Sequence, residues 1–344
     1  MSDARSGIPA LDEVLDALRV VAIPTRTRFR GITVREAAVF DAPEGASEFS
    51  PFTEYGDAEA AAWLAAALDF GWQPQPAPLR ERVEVNATVP AVRPEEVPGI
   101  LARFPGCRTA KVKVAERGQS LADDLARVRA VREAMGPEAR VRVDANTGWS
   151  VDEAVTALTA LAQFNLDYAE QPCVSVAELA EVRARLSAAG VPVRIAADES
   201  VRKAEDPLAV ARAGAADLII VKAQPLGGVR RALGIVAEAG LPVVVSSALD
   251  TSAGIAMGAQ LAAALPEGVL DGACGLGTVA LLGGDVTRTP ILPEQGSIPV
   301  GRPLLDPELL ARAAASPERT AWWRERVTRC HALLTAPDPA RARA

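Results

Sequence analysis

Short β-rich segments alternate with amphipathic helical stretches between residues 109 and 250. In one of these stretches, Leu121–Met135, apolar residues recur on a single helical face. Because a helix-length stretch separates each β-rich segment from the next, consecutive strands must run parallel, with crossover helices between them. The expected strands are Ala110–Glu116, Arg140–Asn146, Leu166–Gln171, Val193–Glu199, Leu218–Ala223 and Leu241–Ser247, with a first strand at Val85–Val92 and a weaker last one at Val269–Cys274.

This alternation fits either an open doubly wound sheet or a closed barrel. An open sheet usually carries a glycine-rich phosphate-binding turn after its first strand, and no GxGxxG motif is found there. Seven or eight strand–helix units within about 190 residues are typical of a barrel. The sequence therefore predicts an α/β fold built on a (β/α) TIM-type barrel.

The two ends of the chain differ from this central region. The N-terminal part contains a β-rich stretch, a loop at Gly45–Gly56 and a predicted helix at Asp57–Asp69. The C-terminal part is rich in Pro and Arg, has a helical pattern at Pro317–Leu334, and ends in about ten residues that we expect to be disordered. We expect an α+β domain at residues 1–84, a barrel domain at residues 85–289, and a segment at residues 290–344 that packs back on the first domain.

Five consecutive predicted strands end in an ionisable side chain, and neighbouring members of this set are 24 to 31 residues apart, which is one strand–helix unit. In a parallel barrel the carboxyl ends of the strands open on one mouth, where the catalytic residues of such barrels lie. A single charge at a strand end is usually only a solvated end, but five in succession predict a shared site. The five residues are Lys113, Asp144, Glu170, Asp198 and Lys222.

Three carboxylates in one mouth would repel one another unless a cation lay between them. A ligand set of oxygen atoms, without His or Cys, favours a hard ion such as Mg²⁺. The competing interpretation is a purely structural ring of salt bridges between the lysines and the acids. On the residues alone, both interpretations stay open.

Histidine and lysine are scarce in this chain. The one histidine, His331, lies near the C-terminus, where it is poorly placed for a Ser-His-Asp triad or a multi-histidine zinc site. Lysine occurs at four positions, so that 33 of the 37 basic residues are arginine. Since arginine keeps its proton at accessible pH whereas a desolvated lysine can release it, the strand-end lysines are candidates for proton transfer.

Charge and hydropathy exclude several classes of function. The net charge is −7 and the chain has no basic block, which argues against nucleic-acid binding. We find no apolar run that would span a membrane, no secretory signal, and no CxxC pair among the four cysteines. We therefore expect a cytoplasmic protein that acts on a small molecule, without nucleic-acid or membrane partners, and the oligomeric state stays open.

Five short motifs contain or flank the strand-end residues: Lys111-Val112-Lys113, Val143-Asp144-Ala145-Asn146, Glu170-Gln171-Pro172, Ala197-Asp198-Glu199-Ser200, and Val221-Lys222 followed by Gly227-Gly228. This ordered set resembles the enolase superfamily and, within it, the muconate-lactonizing-type subgroup. The resemblance implies a modified (β/α) barrel with an α+β capping domain made from both chain ends. It also implies that Asp144, Glu170 and Asp198 bind Mg²⁺, with Lys113 and Lys222 on opposite sides of the substrate.

Three further segments are similar to a dehydrating branch of this subgroup that serves menaquinone biosynthesis. They are Phe29-Arg30-Gly31-Ile32-Thr33-Val34-Arg35-Glu36, Glu48-Phe49-Ser50-Pro51-Phe52 and Ser246-Ser247-Ala248-Leu249-Asp250-Thr251-Ser252. The resemblance implies a hydro-lyase that removes water from 2-succinyl-6-hydroxy-2,4-cyclohexadiene-1-carboxylate and aromatises the ring. The reaction would depend on Mg²⁺, with Mn²⁺ as a substitute, and would pass through an enediolate.

In this reaction Lys113 is expected to be the base that removes the proton α to the carboxylate, and then the acid that protonates the leaving hydroxyl on the same face. A lysine acts as a base only when it is neutral, and burial, a neighbouring ammonium group and nearby Mg²⁺ all favour the neutral form. Lys222 is expected to remain cationic on the opposite face. Lys111 is expected to tune and orient rather than to transfer protons.

Other residues are expected to support the site. Asn146 and Glu199 would lie around the metal, and Ser246 and Ser247 would hydrogen-bond a substrate carboxylate. The loops Ile23–Arg30 and Gly45–Tyr55 are expected to close over the mouth and exclude water. One of three arginines in the first loop would meet the succinyl carboxylate; these are Arg26, Arg28 and Arg30.

Three alternative functions stay open. An N-succinylamino acid racemase or a cycloisomerase of the same subgroup would use the two lysines on opposite faces, but such racemases commonly carry Arg where this chain has Pro225. A Schiff-base aldolase would use Lys222 as a nucleophile and need no metal. A barrel kept only for binding would be expected to lack at least one of the five ionisable residues, and none is missing. Histidine-base branches are excluded because the barrel region has no histidine.

Overall fold

A computed structural model of the chain describes residues 7–29, 31–202 and 207–336. Within these ranges the strands form sheets of three, seven and two strands. The strands are β1 Leu18–Phe29, β2 Ile32–Ala42, β3 Gly45–Phe49, β4 Arg82–Glu84, β5 Ala87–Val89, β6 Thr109–Lys113, β7 Arg140–Asp144, β8 Leu166–Glu170, β9 Arg194–Ala197, β10 Leu218–Val221, β11 Val243–Val245 and β12 Ser297–Pro299. The α-helices are α1 Leu11–Ala17, α2 Asp57–Trp72, α3 Val97–Leu101, α4 Leu121–Met135, α5 Val151–Leu161, α6 Val176–Ala188, α7 Glu199–Arg202, α8 Ala209–Arg212, α9 Val229–Ala239, α10 Ser252–Ala264, α11 Pro307–Arg312 and α12 Pro317–Thr335.

The seven-stranded sheet is the centre of the molecule, with the order β11-β10-β9-β8-β7-β6-β5 and parallel pairing throughout. Its register places Lys113 opposite Asp144, and Asp144 opposite Glu170, so that three strands end at the same level. Buried valines and isoleucines along these strands pack against the crossover helices. The curled sheet is the predicted modified (β/α) barrel, and the fold class is confirmed.

Serine residues begin the helices that follow β6, β7 and β8. Ser120, Ser150 and Ser175 each accept a hydrogen bond from the backbone N–H three residues on, and the acidic side chain at that position bonds back to the serine N–H. These capping boxes satisfy N–H groups that a helix end would otherwise leave unpaired. The extent of α4 was expected from the sequence.

In the part of the chain that the structure describes, the sheet closes through an irregular segment, residues 269–275, and not through a regular eighth strand. The backbone of this segment bonds to β11 on one side, where Asp271 N donates to Val243 O at 2.7 Å. On the other side it bonds to the end of β4, where Cys274 N donates to Glu84 O at 2.7 Å. The expected strand Val269–Cys274 is therefore wrong as a strand, since Gly272 at φ +75° interrupts it and leaves isolated bridges.

A buried arginine holds this closing segment from inside the barrel. Arg142 on β7 donates to Ala273 O at 2.6 Å and Asp271 O at 3.3 Å, and forms an ion pair with Asp167 at 2.9 Å. Its guanidinium also lies 4.7 Å from the ring centroid of Tyr168. Side-chain hydrogen bonds thus replace part of the ladder that a regular strand would supply.

The three-stranded sheet and the two-stranded sheet connect the two chain ends to the barrel. β1, β2 and β3 are antiparallel, and β4 pairs with β12. Helix α12 docks on the three-stranded sheet, where Trp323 packs edge-to-face on Phe49 at 5.7 Å and donates its indole N–H to Glu36 at 2.8 Å. The expected loop Gly45–Gly56 begins instead as strand β3, because residues 45–49 pair with the second half of β2.

Several expectations are not decided by these elements. The domain boundaries at 84 and 289 stay a prediction. The expected disorder of the last residues, including Pro337 and Pro339, falls outside the described residues. No helix within the described ranges is both long and apolar enough to cross a membrane.

Candidate active site

A cavity lies at the carboxyl end of the seven-stranded sheet and, with the solvent-open space at its mouth, encloses about 500 Å³. Charged and polar side chains at the ends of the barrel strands line one part of it, and aromatic side chains of the N-terminal region line the other. Eight of the ten predicted site residues line this cavity: Lys111, Lys113, Asp144, Asn146, Asp198, Lys222, Ser246 and Ser247. The fold therefore brings together predicted residues that span 137 positions of the chain, from 111 to 247.

The other two predicted residues lie behind the lining. Glu170 accepts hydrogen bonds from the Lys111 ammonium at 3.0 and 3.1 Å. Glu199 accepts one from the Asn146 side-chain amide at 3.3 Å. Both acids therefore lie one hydrogen bond behind a residue that lines the cavity.

Lysines pair with carboxylates of neighbouring strand ends. Lys113 Nζ lies 2.5 Å from Asp144 Oδ2 and 2.6 Å from Asn146 Oδ1. Lys111 Nζ lies 3.1 Å from the same Asp144 oxygen, so that one carboxylate forms ion pairs with both lysines. On the other side of the cavity Lys222 donates to Asp198. Within the described ranges, the side chains of Asp144, Glu170 and Asp198 are not arranged as a group of three metal ligands.

Burial and neighbouring charges shift the pKa values of these groups in opposite directions. Burial and the negative charge of Asp144 raise the pKa of Glu170 to about 7. Although burial alone would raise it, the charges of Lys113 and Lys111 hold the pKa of Asp144 well below its ordinary range. Burial would lower the pKa of Lys111, but Glu170 and Asp144 outweigh it and the pKa lies well above the usual value. Lys111 is therefore a fixed cation between two acids.

The donor set fits a hard divalent cation. Asp144, Glu170 and Asp198 are each at most 1% exposed and come from three consecutive strand ends. The pKa of Glu170 rises partly because Asp144 and Asp198 repel its charge, and a cation placed among the three would relieve that repulsion. Carboxylate oxygens are the ligands that Mg²⁺ prefers in proteins.

Left-handed residues follow three successive barrel strands and turn the chain at the mouth. Ala115, Asn146 and Gln171 have φ values of +58°, +43° and +40°. These turns end the strands one to three residues earlier than the sequence predicted. Residues that are not glycine adopt this region only where their surroundings fix them, and such positions cluster at functional sites.

Gln171 is a residue beside the site that the sequence pattern did not single out. Its side-chain oxygen accepts hydrogen bonds from the backbone N–H groups of Asp198 at 2.9 Å and Ser200 at 3.2 Å. Its amide donates to Ser200 Oγ at 2.7 Å. Gln171 thereby ties the end of β8 to the turn that carries Asp198. Its place directly after Glu170 in the quoted motif was the available signal.

The aromatic part of the lining was only partly expected. Phe29 and Phe52 lie in the two segments that were predicted to be loops over the mouth, although residues 23–29 of the first belong to strand β1. The Lys113 ammonium lies 5.4 Å from the Phe29 ring centroid. Trp63 on α2 also lines the cavity, as do Thr88 and Thr278 from the barrel. No sequence signal marked these last three; Trp63 and Thr278 reach the cavity only when α2 and the closing segment have docked.

Two of the three arginines expected near the succinyl group do not line the cavity. Arg26 points elsewhere and donates to Leu282 O at 2.8 Å, and Arg28 is exposed. The third candidate, Arg30, lies outside the described residues. Among the described residues that line the cavity, the neutral donors are serine, threonine, asparagine and tryptophan side chains.

Ser246 and Ser247 occupy the rim beside the closing segment. Ser247 Oγ donates to Gly275 O at 2.8 Å and lies 2.8 Å from Thr278 Oγ1. A Cβ atom at Gly275 would approach Ser246 Oγ to 2.5 Å, so glycine is required for this close packing. Both serines line the cavity, and their contact with a substrate carboxylate stays a prediction.

Comparison with known proteins first defines the class. Residues 101–303 match the family described as enolase C-terminal domain-like, and residues 20–71 match enolase N-terminal domain-like. The solved structure of 2-chloromuconate cycloisomerase from Rhodococcus opacus 1CP has the same fold, with a TM-score of 0.73 at 22% identity over 87% of this chain and 98% of that one. The chain belongs to the enolase superfamily, as its motifs predicted.

The particular family follows from much closer relatives. The o-succinylbenzoate synthase of Mycolicibacterium smegmatis is 58% identical over 96% of this chain and 99% of its own length. That of Mycobacterium tuberculosis is 55% identical over 95% of this chain and 97% of its own. Within the superfamily, this chain is therefore a member of the o-succinylbenzoate synthase family.

Proposed function

We propose that this chain is an o-succinylbenzoate synthase, a hydro-lyase that converts 2-succinyl-6-hydroxy-2,4-cyclohexadiene-1-carboxylate to o-succinylbenzoate in menaquinone biosynthesis. The observation that carries the proposal is the single cavity in which Lys113 and Lys222 lie with Asp144 and Asp198, in a chain 58% identical to a relative of that name. Loss of water from this substrate leaves an aromatic ring, so the chemistry requires only that one proton and one hydroxyl depart.

Lys113 is the proposed base. It ends β6, lines the cavity and is 9% exposed, so its ammonium can reach a substrate while remaining shielded from bulk water. Asp144 and Asn146 hold its Nζ by hydrogen bonds and so fix its direction. The neutral amine takes the proton α to the substrate carboxylate, and the ammonium that results returns a proton to the leaving hydroxyl on the same face.

Lys222 is the proposed fixed cation on the other side. It follows the apolar strand β10, is 7% exposed, and donates to Asp198. A positive charge held here stabilises negative charge that develops on the substrate when the α-proton leaves. Lys111, held between Glu170 and Asp144, adds a second fixed charge behind the base.

Asp144, Glu170 and Asp198 are the residues that would hold a divalent metal, which we propose to be Mg²⁺ with Mn²⁺ as a substitute. When bound, such an ion supplies positive charge beside the carboxylate oxygens on which negative charge develops. Asn146 and Glu199, joined by a hydrogen bond, would brace the neighbouring ligand oxygens.

The aromatic residues of the N-terminal region shield the reacting groups from water. Phe29, Phe52 and Trp63 are each at most 7% exposed and line the cavity opposite the charged strand ends. A dry cavity strengthens the interactions between these charges and the substrate. Ser246 and Ser247 remain the proposed partners of a substrate carboxylate.

The proposal is tested by incubating the purified chain with the cyclohexadiene carboxylate and following formation of the aromatic product by ultraviolet absorbance. Turnover with Mg²⁺ that is lost in a Lys113→Ala variant supports it. A wild-type chain that is folded, supplied with Mg²⁺ and inactive on this substrate would contradict it.

A racemase or cycloisomerase of the same superfamily also needs two lysines in one cavity, and this chain has both. We retain that function as the alternative and separate it from dehydration by the exchange experiment in the Discussion.

Two further expectations are carried into this proposal. We propose the division into residues 1–84, 85–289 and a returning segment 290–344, which is supported by the pairing of β12 with β4 and by the packing of α12 on α2. The cytoplasmic location stays a prediction, and fractionation of the source cells would test it.

A further inference from the structure

A buried ion pair lies on α4, outside the lining of the cavity. Asp124 and Arg127 are 2% and 1% exposed, and their side chains meet at 2.9 Å between Oδ1 and Nη1. In the sequence they look like an ordinary pair three residues apart on a helix surface. A buried pair of this kind rarely adds net stability, because removing both charges from water costs about as much as their attraction returns. Its presence therefore needs a reason.

The contacts of this pair lead to the end of β6. Arg127 Nη1 donates to the backbone carbonyl of Lys113 at 2.8 Å. The other carboxylate oxygen of Asp124 accepts from the backbone N–H of Ala115 at 2.9 Å. The pair thus forms hydrogen bonds to the backbone on both sides of residue 114, next to the proposed base.

Arg127 also reaches the neighbouring strand end. Its Nε donates to Val92 O at 2.7 Å, and its Nη2 donates to the side-chain oxygen of Gln119. Gln119 in turn donates to Ala91 O at 3.0 Å. One planar guanidinium therefore ties together the turns that follow β5 and β6, which lysine, as a single ammonium group, could not do with the same geometry.

The turn after β6 needs contacts from other parts of the protein to keep its conformation. Ala115 has φ +58°, a conformation that alanine adopts only when its surroundings fix it. Past Lys113 the strand ladder continues through the Val114 N–H, which donates to Asp144 O at 3.0 Å. Ala115 also packs tightly on the next turn, where a Cβ atom at Gly148 would lie 2.8 Å from the Ala115 Cβ.

We infer that Asp124 and Arg127 are positioning residues that set the place of Lys113 in the cavity and thereby the rate of proton removal. This inference rests on the proposed function, since it takes Lys113 to be the base. The pair touches backbone groups of the turn and lies outside the cavity lining, so it acts through the position of the lysine.

The same helix offers a matched control. Arg132 lies one and a half turns further along α4 and donates to the carbonyls of Ala139 at 2.6 Å and Phe164 at 2.7 Å. These carbonyls precede β7 and β8 at the end of the barrel opposite the cavity. Arg132 thus resembles Arg127 in helix, residue type and backbone partners, and differs in the end of the barrel that it fixes.

The experiment compares Arg127→Lys, Asp124→Asn and Arg132→Lys in steady-state dehydration with saturating Mg²⁺, each normalised to the folded fraction from urea unfolding. We expect kcat to fall about 10- to 100-fold in Arg127→Lys, because misplacing a reacting group by about 1 Å costs that much, while KM stays within about threefold. Asp124→Asn keeps the size of the side chain and should show a smaller fall in kcat. Arg132→Lys should unfold at lower urea with kcat unchanged.

Two results would overturn the inference: wild-type kcat in both Arg127→Lys and Asp124→Asn, or an equal loss of kcat in Arg132→Lys. If Arg127→Lys does not fold, Asp124→Asn against Arg132→Lys decides the question by the same split between kcat and KM. Failure of the proposed function looks different, because the wild-type chain itself would then give no aromatic product.

Discussion

Lys113 and Lys222 stand at the two ends of a row of acids. The sheet order places β7, β8 and β9 between β6 and β10, so Asp144, Glu170 and Asp198 come between the two lysines. Each lysine is paired with the acid nearest to it, Lys113 with Asp144 and Lys222 with Asp198. Similar surroundings therefore do not by themselves tell the base from the fixed cation, and substitutions must separate them.

Replacing Lys113 by alanine removes the proposed base and leaves the strand intact. We expect dehydration to slow by at least about 100-fold, the usual contribution of a positioned acid–base group. Product absorbance measures the rate, and circular dichroism checks that the variant is folded. Lys222→Arg, which keeps the charge but changes its shape, should be impaired with measurable activity remaining. Near-normal turnover of Lys113→Ala would mean that another group is the base.

Removing the metal tests the three carboxylates together. EDTA should abolish turnover, and added Mg²⁺ or Mn²⁺ should restore it, because repulsion among buried acids is then relieved by a cation. In Asp198→Asn we expect weaker metal binding, measured by calorimetry, with the unfolding transition retained. Full activity in the presence of the chelator would show that the acids serve only the lysines.

Pro225 bears on reaction specificity. It is buried three residues after Lys222, carries no charge and has no N–H to donate. A racemase must exchange protons on both faces of one carbon, whereas a same-face dehydratase needs only one competent lysine. We expect little α-proton exchange when the protein is incubated with either enantiomer of an N-succinyl amino acid in D₂O and followed by NMR. Comparable exchange of both enantiomers, near the rate of dehydration, would establish Lys222 as a base and favour the alternative function.

At the scale of elements, the sequence predicted the charged residues at the strand ends. It did not predict the residues of other elements that complete the cavity lining. A charge that ends an apolar run is a local signal, and the spacing of such charges gives their common level in the sheet. Trp63 and Thr278 carry no such signal, because they reach the cavity only after α2 and the closing segment have docked. The role of Asp124 and Arg127 could not be predicted for the same reason. In the sequence they look like a surface ion pair, and only their burial in the fold shows that they bond to the backbone at the end of β6.

The eighth strand shows a second limit of local patterns. Residues 269–274 have enough valine, leucine and cysteine to be read as a strand, yet the chain turns at Gly272 and the segment is held by Arg142 instead. A side chain that lies 131 positions away in sequence supplies the missing bonds. Sequence periodicity cannot show a replacement of this kind.

The capping boxes give an element-scale prediction. Ser175 Oγ accepts from the Glu178 N–H at 3.2 Å, and Glu178 accepts from the Ser175 N–H at 2.8 Å. Replacing Ser175 with alanine leaves the first turn of α6 with an unpaired N–H and should lower the free energy of unfolding by about 1 kcal/mol. Urea unfolding measures the change. Thr159→Ala serves as the control, because that exposed hydroxyl bonds only within its own helix; an equal loss there would argue against the capping effect.

At the scale of the whole molecule, one buried carboxylate joins the three-stranded sheet to the barrel. Glu48 on β3 accepts hydrogen bonds from the N–H groups of Thr251 at 3.0 Å and Gly254 at 3.2 Å, at the start of α10. Arg35 on β2 donates to Leu249 O at 3.1 Å and lies 4.6 Å from the Phe52 ring centroid. The junction between the two parts of the protein therefore ends at residues that line the cavity.

Burial, together with the charge of Asp250, raises the pKa of Glu48 from 4.5 to about 7 in the folded protein. Between these two values the folded chain holds a proton that the unfolded chain has released, so stability should fall as the pH rises through this window. Urea unfolding at a series of pH values measures the slope.

The Glu48→Gln variant keeps a hydrogen-bond acceptor and cannot ionise. Its free energy of unfolding should therefore change less than that of the wild-type chain over the same pH interval. Raised acids that do not interact with Glu48, among them Glu170, are present in both proteins and cancel in the comparison. Parallel pH curves for the two proteins would contradict the assignment of this slope to Glu48.

The distribution of amines over the molecule has a practical consequence. Of the four lysines in the chain, Lys111, Lys113 and Lys222 line one cavity and are at most 9% exposed. An acylating reagent for primary amines should therefore react slowly with these three while the protein is folded, more slowly still with product bound, and rapidly once the barrel opens. The mass added to these three lysines in a short pulse would therefore report the fraction of protein whose cavity has opened.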